Sequence, residues 1–100
     1  MADYELKNNV LTVHKDLGWP VEKELREQCD ALLGSPDEHL LVDLTPVRHI
    51  CSANMVAFAS LGVMAQKEGK KLKIKVGGRA ARSFQLAGFH EFLDMEIVGR

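Results

Sequence analysis

The first residues of the chain alternate between apolar and polar side chains. Two short segments, residues 4–7 and 10–14, show this alternation, which predicts β-strands. Asn8 and Asn9 separate the two segments, and asparagine tolerates the positive φ that a tight hairpin turn requires. The pattern therefore predicts an N-terminal β-hairpin.

A helical period follows the hairpin. In residues 21–33 the apolar side chains recur at helical spacing, and most of the residues between them are polar or charged. Pro20 suits the first turn of such a helix because its missing N–H is not needed there. Gly34 and Pro36 are typical of its end. We therefore expect an amphipathic helix that buries one face.

Strands and helices alternate in the rest of the chain. Residues 40–44 form a nearly continuous apolar run, which is typical of a strand covered on both faces. The further predicted elements are a helix over residues 52–67 that ends at Gly69, a strand over 72–76, a helix over 79–86 and a last strand over 96–98. This order predicts one α/β domain over residues 1–100, with a mixed sheet and right-handed crossovers.

Composition narrows the class of protein. The chain has 46% hydrophobic and 27% charged residues, as an ordinary globular domain does. Its net charge of −1 provides no concentrated basic face, so we expect no binding to nucleic acid. No run approaches a membrane span, and the polar N-terminus lacks the apolar run of a secretory signal. The 2 cysteines are too few for a disulfide framework. Together these features predict a cytoplasmic domain with no direct membrane insertion.

Ser52 stands at the predicted start of the long helix. Its hydroxyl suits an N-cap that accepts a hydrogen bond from a backbone N–H near Met55. A helix N-terminus also carries free N–H groups and a partial positive charge, which favour a phosphate. A phosphoryl group on Ser52 would add nearly two negative charges at the surface. Both interpretations, a plain cap and a phosphorylation site, are open at this residue.

The helix predicted over residues 52–67 is apolar around most of its circumference. Such a helix is either buried on several sides or docks against another surface. Helices of a small domain normally lie outside the sheet, so we expect part of this helix near Ser52 to be exposed for protein binding. The alternative is that its small alanine and glycine residues merely reduce the exposed patch.

Residues 41–55, LVDLTPVRHICSANM, resemble the core of the STAS domain, the fold of bacterial anti-sigma-factor antagonists. The family pattern is a hydrophobic strand ending in Asp-Leu, a short connector, and Asp-Ser-Ser-Gly opening an apolar helix. Residues 69–74 and 79–89 are similar to its next strand and its last helix. The resemblance implies a mixed β-sheet of about four to five strands with about three helices packed mainly on one face.

In phosphorylatable members of that family, a partner serine kinase that is also the anti-sigma factor modifies the first serine of the motif. Ser52 falls on this position, while Cys51, Ala53 and Asn54 replace the acidic residue, the second serine and the glycine. The resemblance implies a non-enzymatic domain that docks this kinase and is switched by phosphorylation of Ser52. The alternative it implies is an accessory subunit of a membrane transport system for lipids or anions, seated on the ATPase without phosphorylation.

The position of Ser52 on the modified serine of the motif predicts a docking surface around it. Its residues are Asp43, Cys51, Ser52, Ala53, Asn54, Met55 and Phe58. Asp43 is alternatively expected to hydrogen-bond the backbone of the connector over residues 47–51. Trp19 is predicted to pack at a sheet edge, with a partner contact as the alternative. Arg79 and Arg82 are predicted to face solvent, the alternative being an acidic partner or a phosphate near the turn.

His49 and Cys51 stand two positions apart on the predicted connector, so their side chains are expected to be near neighbours. A cysteine nucleophile also needs an orienting partner and an oxyanion hole, and the sequence indicates neither. It contains no Cys-x-x-Cys, no His-Glu-x-x-His and no glycine-rich phosphate loop. We therefore predict no catalytic residue, no metal site and no cofactor. A thiolate is favoured near a helix N-terminus, so Cys51 is predicted to react with electrophiles.

Overall fold

The predicted hairpin opens the fold in the computed structural model, which describes residues 2–99. Strand β1, Tyr4–Lys7, pairs antiparallel with strand β2, Val10–Val13. Between them Asn8 adopts a φ of 57°, a left-handed conformation that asparagine tolerates. The hairpin prediction is confirmed.

The remaining elements alternate between helices and strands. They are α1 Glu22–Leu33, β3 His39–Leu44, α2 Ser52–Lys67, β4 Lys71–Gly77, α3 Gly78–Leu86, a 3-10 turn Phe89–Glu91 and β5 Asp94–Val98. Every predicted helix and strand is present, and α2 has its predicted bounds. Gly69, with a φ of 72°, lets the chain turn from α2 into β4. The 3-10 turn has no counterpart in the predicted pattern.

The strands form one mixed sheet in the order β1-β2-β3-β4-β5. Strands β2 to β5 are parallel, and only the hairpin pair is antiparallel. The register sets Val42 of β3 beside Leu11 of β2 and Ile74 of β4. A helix connects each parallel strand to the next, so the predicted α/β class with a five-stranded mixed sheet is confirmed.

The core lies between one face of this sheet and the three helices. Val42 and Ile74 project from that face and are completely buried. Leu25 of α1, Phe58 of α2 and Phe84 of α3 cover them in the same hydrophobic cluster. The helices therefore pack on one face, as predicted.

The other face of the sheet carries no helix among residues 2–99. Leu41 and Asp43 of β3 and Lys73 of β4 project from it and are half-buried or exposed. The prediction that β3 is covered on both faces is therefore wrong. Leu41 is sheltered instead by its neighbours in the sheet, Val10 on one side and the aliphatic stem of Lys73 on the other.

Helix α2 is enclosed on one side only. Its buried residues are Asn54, Met55, Ala57, Phe58, Leu61 and Ala65. Val56, Val63 and Met64 are about half exposed along its outer strip. The helix thus presents apolar side chains to solvent, but of these only Val56 lies near Ser52, where the exposed part was predicted. Within residues 2–99, no helix is long and apolar enough to cross a membrane.

Candidate functional site

The connector between β3 and α2 is fastened to the loop that follows β2. The backbone N–H of Leu17 donates to the carbonyl of His49 at 3.0 Å, and the N–H of Cys51 donates to the carbonyl of Leu17 at 2.8 Å. Leu17 and Ile50 form an isolated parallel bridge, and both side chains are buried. The start of α2 is therefore held against this loop by two backbone hydrogen bonds.

Ser52 is the first residue of α2 rather than its cap. The capping residue is Cys51, with φ −89° and ψ 162°, and its carbonyl accepts hydrogen bonds from the N–H groups of Asn54 and Met55 at 3.1 and 3.2 Å. The prediction that Ser52 is the cap is wrong because the helix begins at Ser52 itself. Its side chain is exposed, which leaves the hydroxyl accessible from solvent.

A shallow groove opens beside Ser52, between the start of α2 and the end of α3. Its volume is about 470 Å³, and it is lined by Ile50, Cys51, Ser52, Met55, Ser83, Leu86 and Ala87. Leu86 is 79% exposed at its wall, and the hydroxyls of Ser52 and Ser83 bring hydrogen-bonding groups to the same opening. A surface that combines apolar contact area with polar groups suits protein binding.

Asn54 is completely buried and ties α2 to the loop before α1. Its Oδ1 accepts a hydrogen bond from the N–H of Val21 at 3.0 Å. Its Nδ2 donates to the carbonyls of Leu17 and Trp19 at 2.8 and 2.9 Å. Both N–H donors of the amide are therefore used. Asn54 was expected to bind a partner; it is instead a structural residue, because no face of its side chain reaches solvent.

Met55 and Phe58 also belong to the interior, at 3% and 0% exposure. Their side of α2 faces the sheet, since Phe58 lies in the hydrophobic core and Met55 reaches only the floor of the groove. The predicted docking surface is corrected accordingly. Of its α2 residues, exposed Ser52 and partly exposed Ala53 remain accessible, together with partly exposed Cys51 before the helix.

Asp43 lies on the opposite side of the sheet from the helices. Its neighbours Val42 and Leu44 point into the core, so strand alternation directs the Asp43 side chain to the open face. Its Oδ1 accepts hydrogen bonds from the N–H of Thr45 at 2.9 Å and from the Thr45 hydroxyl at 2.7 Å. This bond reaches the backbone directly after β3, not the connector over residues 47–51 where it was expected. The predicted grouping of Asp43 with Ser52 in one surface is wrong, because the sheet separates the two side chains.

Trp19 is 80% exposed, so the prediction that it packs at a sheet edge is wrong. Its backbone is nonetheless fixed by the hydrogen bond from the buried amide of Asn54 to the Trp19 carbonyl. The preceding residue, Gly18, lies close to the connector, since a Cβ added there would stand 3.3 Å from the Cβ of His49. Trp19 is thus an exposed aromatic ring on a positioned backbone next to the start of α2.

The two cysteines occupy different environments. Burial raises the pKa of the Cys29 thiol on α1 to about 12, so this thiol stays protonated at neutral pH. Cys51 is partly exposed in the groove. The structure gives no hydrogen bond between the exposed His49 ring and the Cys51 thiol within residues 2–99. In the same residues, no group of three or more His, Cys, Asp or Glu side chains is placed to hold a metal ion.

A second concave area of about 400 Å³ lies on the open face of the sheet. Lysines of β4 alternate there with acidic residues of β5, because Lys73 pairs in register with Asp94 and Lys75 with Glu96. Opposite charges that face one another across strands compensate locally. This area therefore has no dominant charge to attract a ligand of one sign, and we place the candidate site at the Ser52 groove.

Sequence reasoning missed four of the groove residues, of which three lie on or directly after α3: Ile50, Ser83, Leu86 and Ala87. The core positions of α3 are Ala80, Ala81 and Phe84, and Leu86 falls outside their helical face. A leucine on the polar side of a short helix was the available signal. This signal remained ambiguous because the sequence pattern does not show which element lies next to the polar face of α3. In the structure that element is the start of α2.

No protein-family model matches the chain, and no curated protein matches it in sequence. The resemblance of residues 41–55 to the STAS core therefore stays a prediction. The α/β fold, the exposed Ser52 and the groove beside it are the features from which a function can be inferred.

Proposed function

We propose that this chain is a non-enzymatic regulatory domain of the cytoplasm, similar to anti-sigma-factor antagonists. Its partner is a serine kinase that also acts as an anti-sigma factor. The partner docks on the groove between α2 and α3 and on the turn at Ser52. The observation that carries the proposal is the exposed Ser52 at the first position of α2, on the edge of a groove with an apolar wall.

The surroundings of Ser52 suit a phosphoryl group. The side chain is exposed, the N-cap residue is Cys51, and within residues 2–99 the serine hydroxyl accepts no hydrogen bond from the start of the helix. Modification of the hydroxyl would therefore remove no cap. The free N–H groups at the start of α2 favour a negative charge of about −1.5 to −2 at this position.

The same phosphate would oppose docking of a partner. Exposed Leu86 and Ala87 make part of the groove apolar. A partner that covers them must also cover Ser52, and covering a phosphate requires the removal of its water shell. Phosphorylation at Ser52 therefore weakens docking while leaving the fold of the domain intact, which is the behaviour of a switch.

A second function is favoured by the residues next to Ser52. Cys51 and Ala53 provide neither the acidic side chain nor the second serine of the phosphorylated motif, and Asn54 is committed to the loop before α1. A turn held in this way can serve as a constant docking surface. The second candidate is therefore an accessory subunit that binds the ATPase of a membrane transport system for lipids or anions without being phosphorylated.

The test is affinity purification from the native cell with the wild-type chain, Ser52→Asp and Ser60→Asp. Ser60 is the matched control, because it is also an exposed serine of α2 but does not line the groove. We expect the wild type and Ser60→Asp to recover a serine kinase that Ser52→Asp loses. Mass spectrometry of the native chain is expected to find phosphate at Ser52.

Two results would contradict the switch. One is a Ser52 that is never modified while Ser52→Asp still recovers the kinase. The other is recovery of a membrane ATPase by all three chains, which would establish the second candidate in its place.

A further inference from the structure

The segments that build the groove carry positive charge only. Residues 44–67 and 77–90 contain no aspartate or glutamate, although the chain has 14 acidic residues. Their arginines are Arg48, Arg79 and Arg82. The acidic residues concentrate elsewhere, for example in residues 22–38, where six acidic residues stand against two basic ones.

The fold brings Arg48 and Arg79 to the same edge of the sheet. Arg48 lies in the connector after β3, and Arg79 lies in the first turn of α3 after β4. Strands β3 and β4 are parallel, with Leu44 in register with Val76, so both chains leave the sheet at one edge. A Cβ added to Gly77 would stand 4.0 Å from the carbonyl oxygen of Thr45, which places the two departing segments side by side.

Helix α3 extends this charge along the groove. Arg79, Ser83 and Leu86 follow one another at helical spacing on one face, and Ser83 and Leu86 line the groove. Arg82 flanks that face. Arg48, Arg79 and Arg82 are exposed, and within residues 2–99 none of them forms an ion pair with an acidic side chain.

Trp19 borders the same edge. The hydrogen bond from Asn54 in the first turn of α2 fixes its carbonyl, and its side chain is almost fully exposed. Tryptophan and arginine are the residue types that most often dominate the energy of protein interfaces. A tryptophan exposed on a fixed backbone, at the sheet edge that also carries exposed arginines, is therefore suited to a partner.

We propose that the surface formed by Trp19, Arg48, Arg79, Arg82 and Leu86, here called the arginine rim, binds an acidic segment of the partner protein. Carboxylates of that segment pair with the guanidinium groups, which suit planar bidentate contacts. An apolar side chain of the same segment lies against Leu86, and the segment passes over Trp19 on the other side of the first turn of α2. The inference rests on the proposed function, because it assigns the chemistry of the partner at the same groove.

A phosphate on Ser52 would affect binding at the arginine rim through its charge. A phosphate on Ser52 stands beside the segments that carry Arg48 and Arg79 and competes with the partner's carboxylates for them. It also repels those carboxylates directly. Phosphorylation of Ser52 is therefore expected to release an acidic partner rather than to recruit it.

The size of the charged surface favours a protein over other anionic partners. Lipid surfaces are bound by clusters of about four to eight basic residues, and nucleic acids by a basic stripe over a domain face. The arginine rim has three arginines in a chain of net charge −1. Its tryptophan and leucine add the apolar contacts that a peptide segment satisfies.

The test is a titration of the ¹⁵N-labelled full chain with a glutamate-rich peptide that carries one central leucine. The same peptide with glutamine in place of every glutamate is the control. We expect chemical-shift changes in residues 45–52 and 79–87 and at the indole of Trp19. The chain has 1 tryptophan, so its fluorescence reports binding independently. Added salt is expected to weaken binding, because the contacts are exposed ion pairs.

Two double variants with equal changes in net charge separate the arginine rim from charge in general. Arg79→Glu/Arg82→Glu reverses two charges of the rim, and a glutamate in the first turn of α3 is compatible with the helix dipole. Lys71→Glu/Lys73→Glu reverses two exposed charges on β4, away from the groove. We expect the first variant to lose about tenfold or more in affinity for the peptide and the second to change by less than about twofold.

Four results would overturn the proposal. They are equal losses in the two double variants, shift changes spread over the lysines of β4, tighter binding to phosphatidylglycerol vesicles than to the peptide, and self-association of the chain at the concentrations used. The titration involves neither the cellular partner nor phosphate. If it fails while Ser52→Asp still releases the kinase, only the arginine rim is wrong; if it succeeds while Ser52→Asp has no effect, the proposed function is wrong.

Discussion

The two sides of the first turn of α2 differ in how their polar groups are used. On the closed side, which faces the loop before α1, Asn54 is buried and hydrogen-bonded to three backbone groups. On the open side, which faces α3, Ser52 is exposed beside a groove. Two residues that are only two positions apart therefore have opposite roles. A polar side chain with all its partners inside the protein stabilises the fold, whereas one left in solvent is available to another molecule.

The largest difference is expected between the buried and the outer face of α2, for Phe58→Ala and Val56→Ala. Phe58 is fully buried in the core, so its truncation should lower the free energy of unfolding by about 4 kcal/mol. Val56 is 45% exposed, and its truncation should change that free energy by less than about 0.5 kcal/mol. Urea unfolding measures both variants. Equal losses would mean that the outer strip of α2 is covered in solution.

A smaller loss is expected for Asn54→Ala. The change leaves the N–H of Val21 and the carbonyl of Trp19 without the amide, and we expect a loss of about 2 kcal/mol in the free energy of unfolding. Ser52→Ala is the control and should stay within about 0.5 kcal/mol of wild type. Similar stabilities of the two variants would contradict the division into a closed and an open side.

The alkylation rates of the two cysteines compare a buried position with one in the groove, without a measurement of stability. Cys29 is buried with a raised pKa, and Cys51 is partly exposed in the groove. We expect iodoacetamide to alkylate Cys51 of the folded chain at least about tenfold faster than Cys29. Cys51→Ser should remove the fast reaction, and urea should restore the reaction of Cys29. Fast alkylation of Cys29 in the folded chain would mean that α1 opens readily.

The smallest effect on stability is expected for the ion pair between Lys15, in the loop before α1, and Glu24 of α1. The Lys15 Nζ lies 3.1 Å from both carboxylate oxygens, and this hydrogen bond lowers the pKa of Glu24. A carboxyl group with a lowered pKa stabilises the fold above its unfolded pKa, and this contribution is lost as the pH falls through the folded value. The gain from the pair is small because both groups are partly exposed.

Lys15→Gln should therefore lower the urea midpoint slightly at about pH 6, and the difference from wild type should shrink towards about pH 3. Lys7→Gln is the control, since Lys7 is exposed and outside the ion pairs found in residues 2–99. A difference that grows as the pH falls would contradict the assigned pair.

Much of the fold was predictable because its signals are local. The hairpin follows from Asn8 and Asn9 between alternating segments, and the bounds of α2 follow from a long helical run that ends before Gly69. Turn residues and period depend on neighbours in the chain, and these are visible in one sequence. The exposure of part of α2 was predictable too, because its apolar residues surround the helix whereas a sheet covers only one side.

The candidate site was predictable only in part. Ser52 was placed correctly at the start of a helix, but its role as a cap, the surface role of Asn54 and the packing of Trp19 were not. Each of these depends on distant residues: Asn54 is fixed by the loop that contains Trp19, 35 positions earlier in the chain. The sequence alone does not distinguish a side-chain amide that is exposed to water from one that is hydrogen-bonded to a distant backbone segment.

The sequence by itself determined the order of the elements, the polar hairpin turn and the start of α2 at Ser52, because backbone preference and hydrophobic period act over a few residues. The tertiary structure decided which side of that turn is closed. Packing of the loop before α1 buried Asn54, and the approach of α3 placed Ser83 and Leu86 beside Ser52. The parallel pairing of β3 and β4 brought Arg48 of the connector and Arg79 of α3 to one edge of the sheet. Burial and charge at this site are sums over segments far apart in the chain, so only the assembled fold defines them.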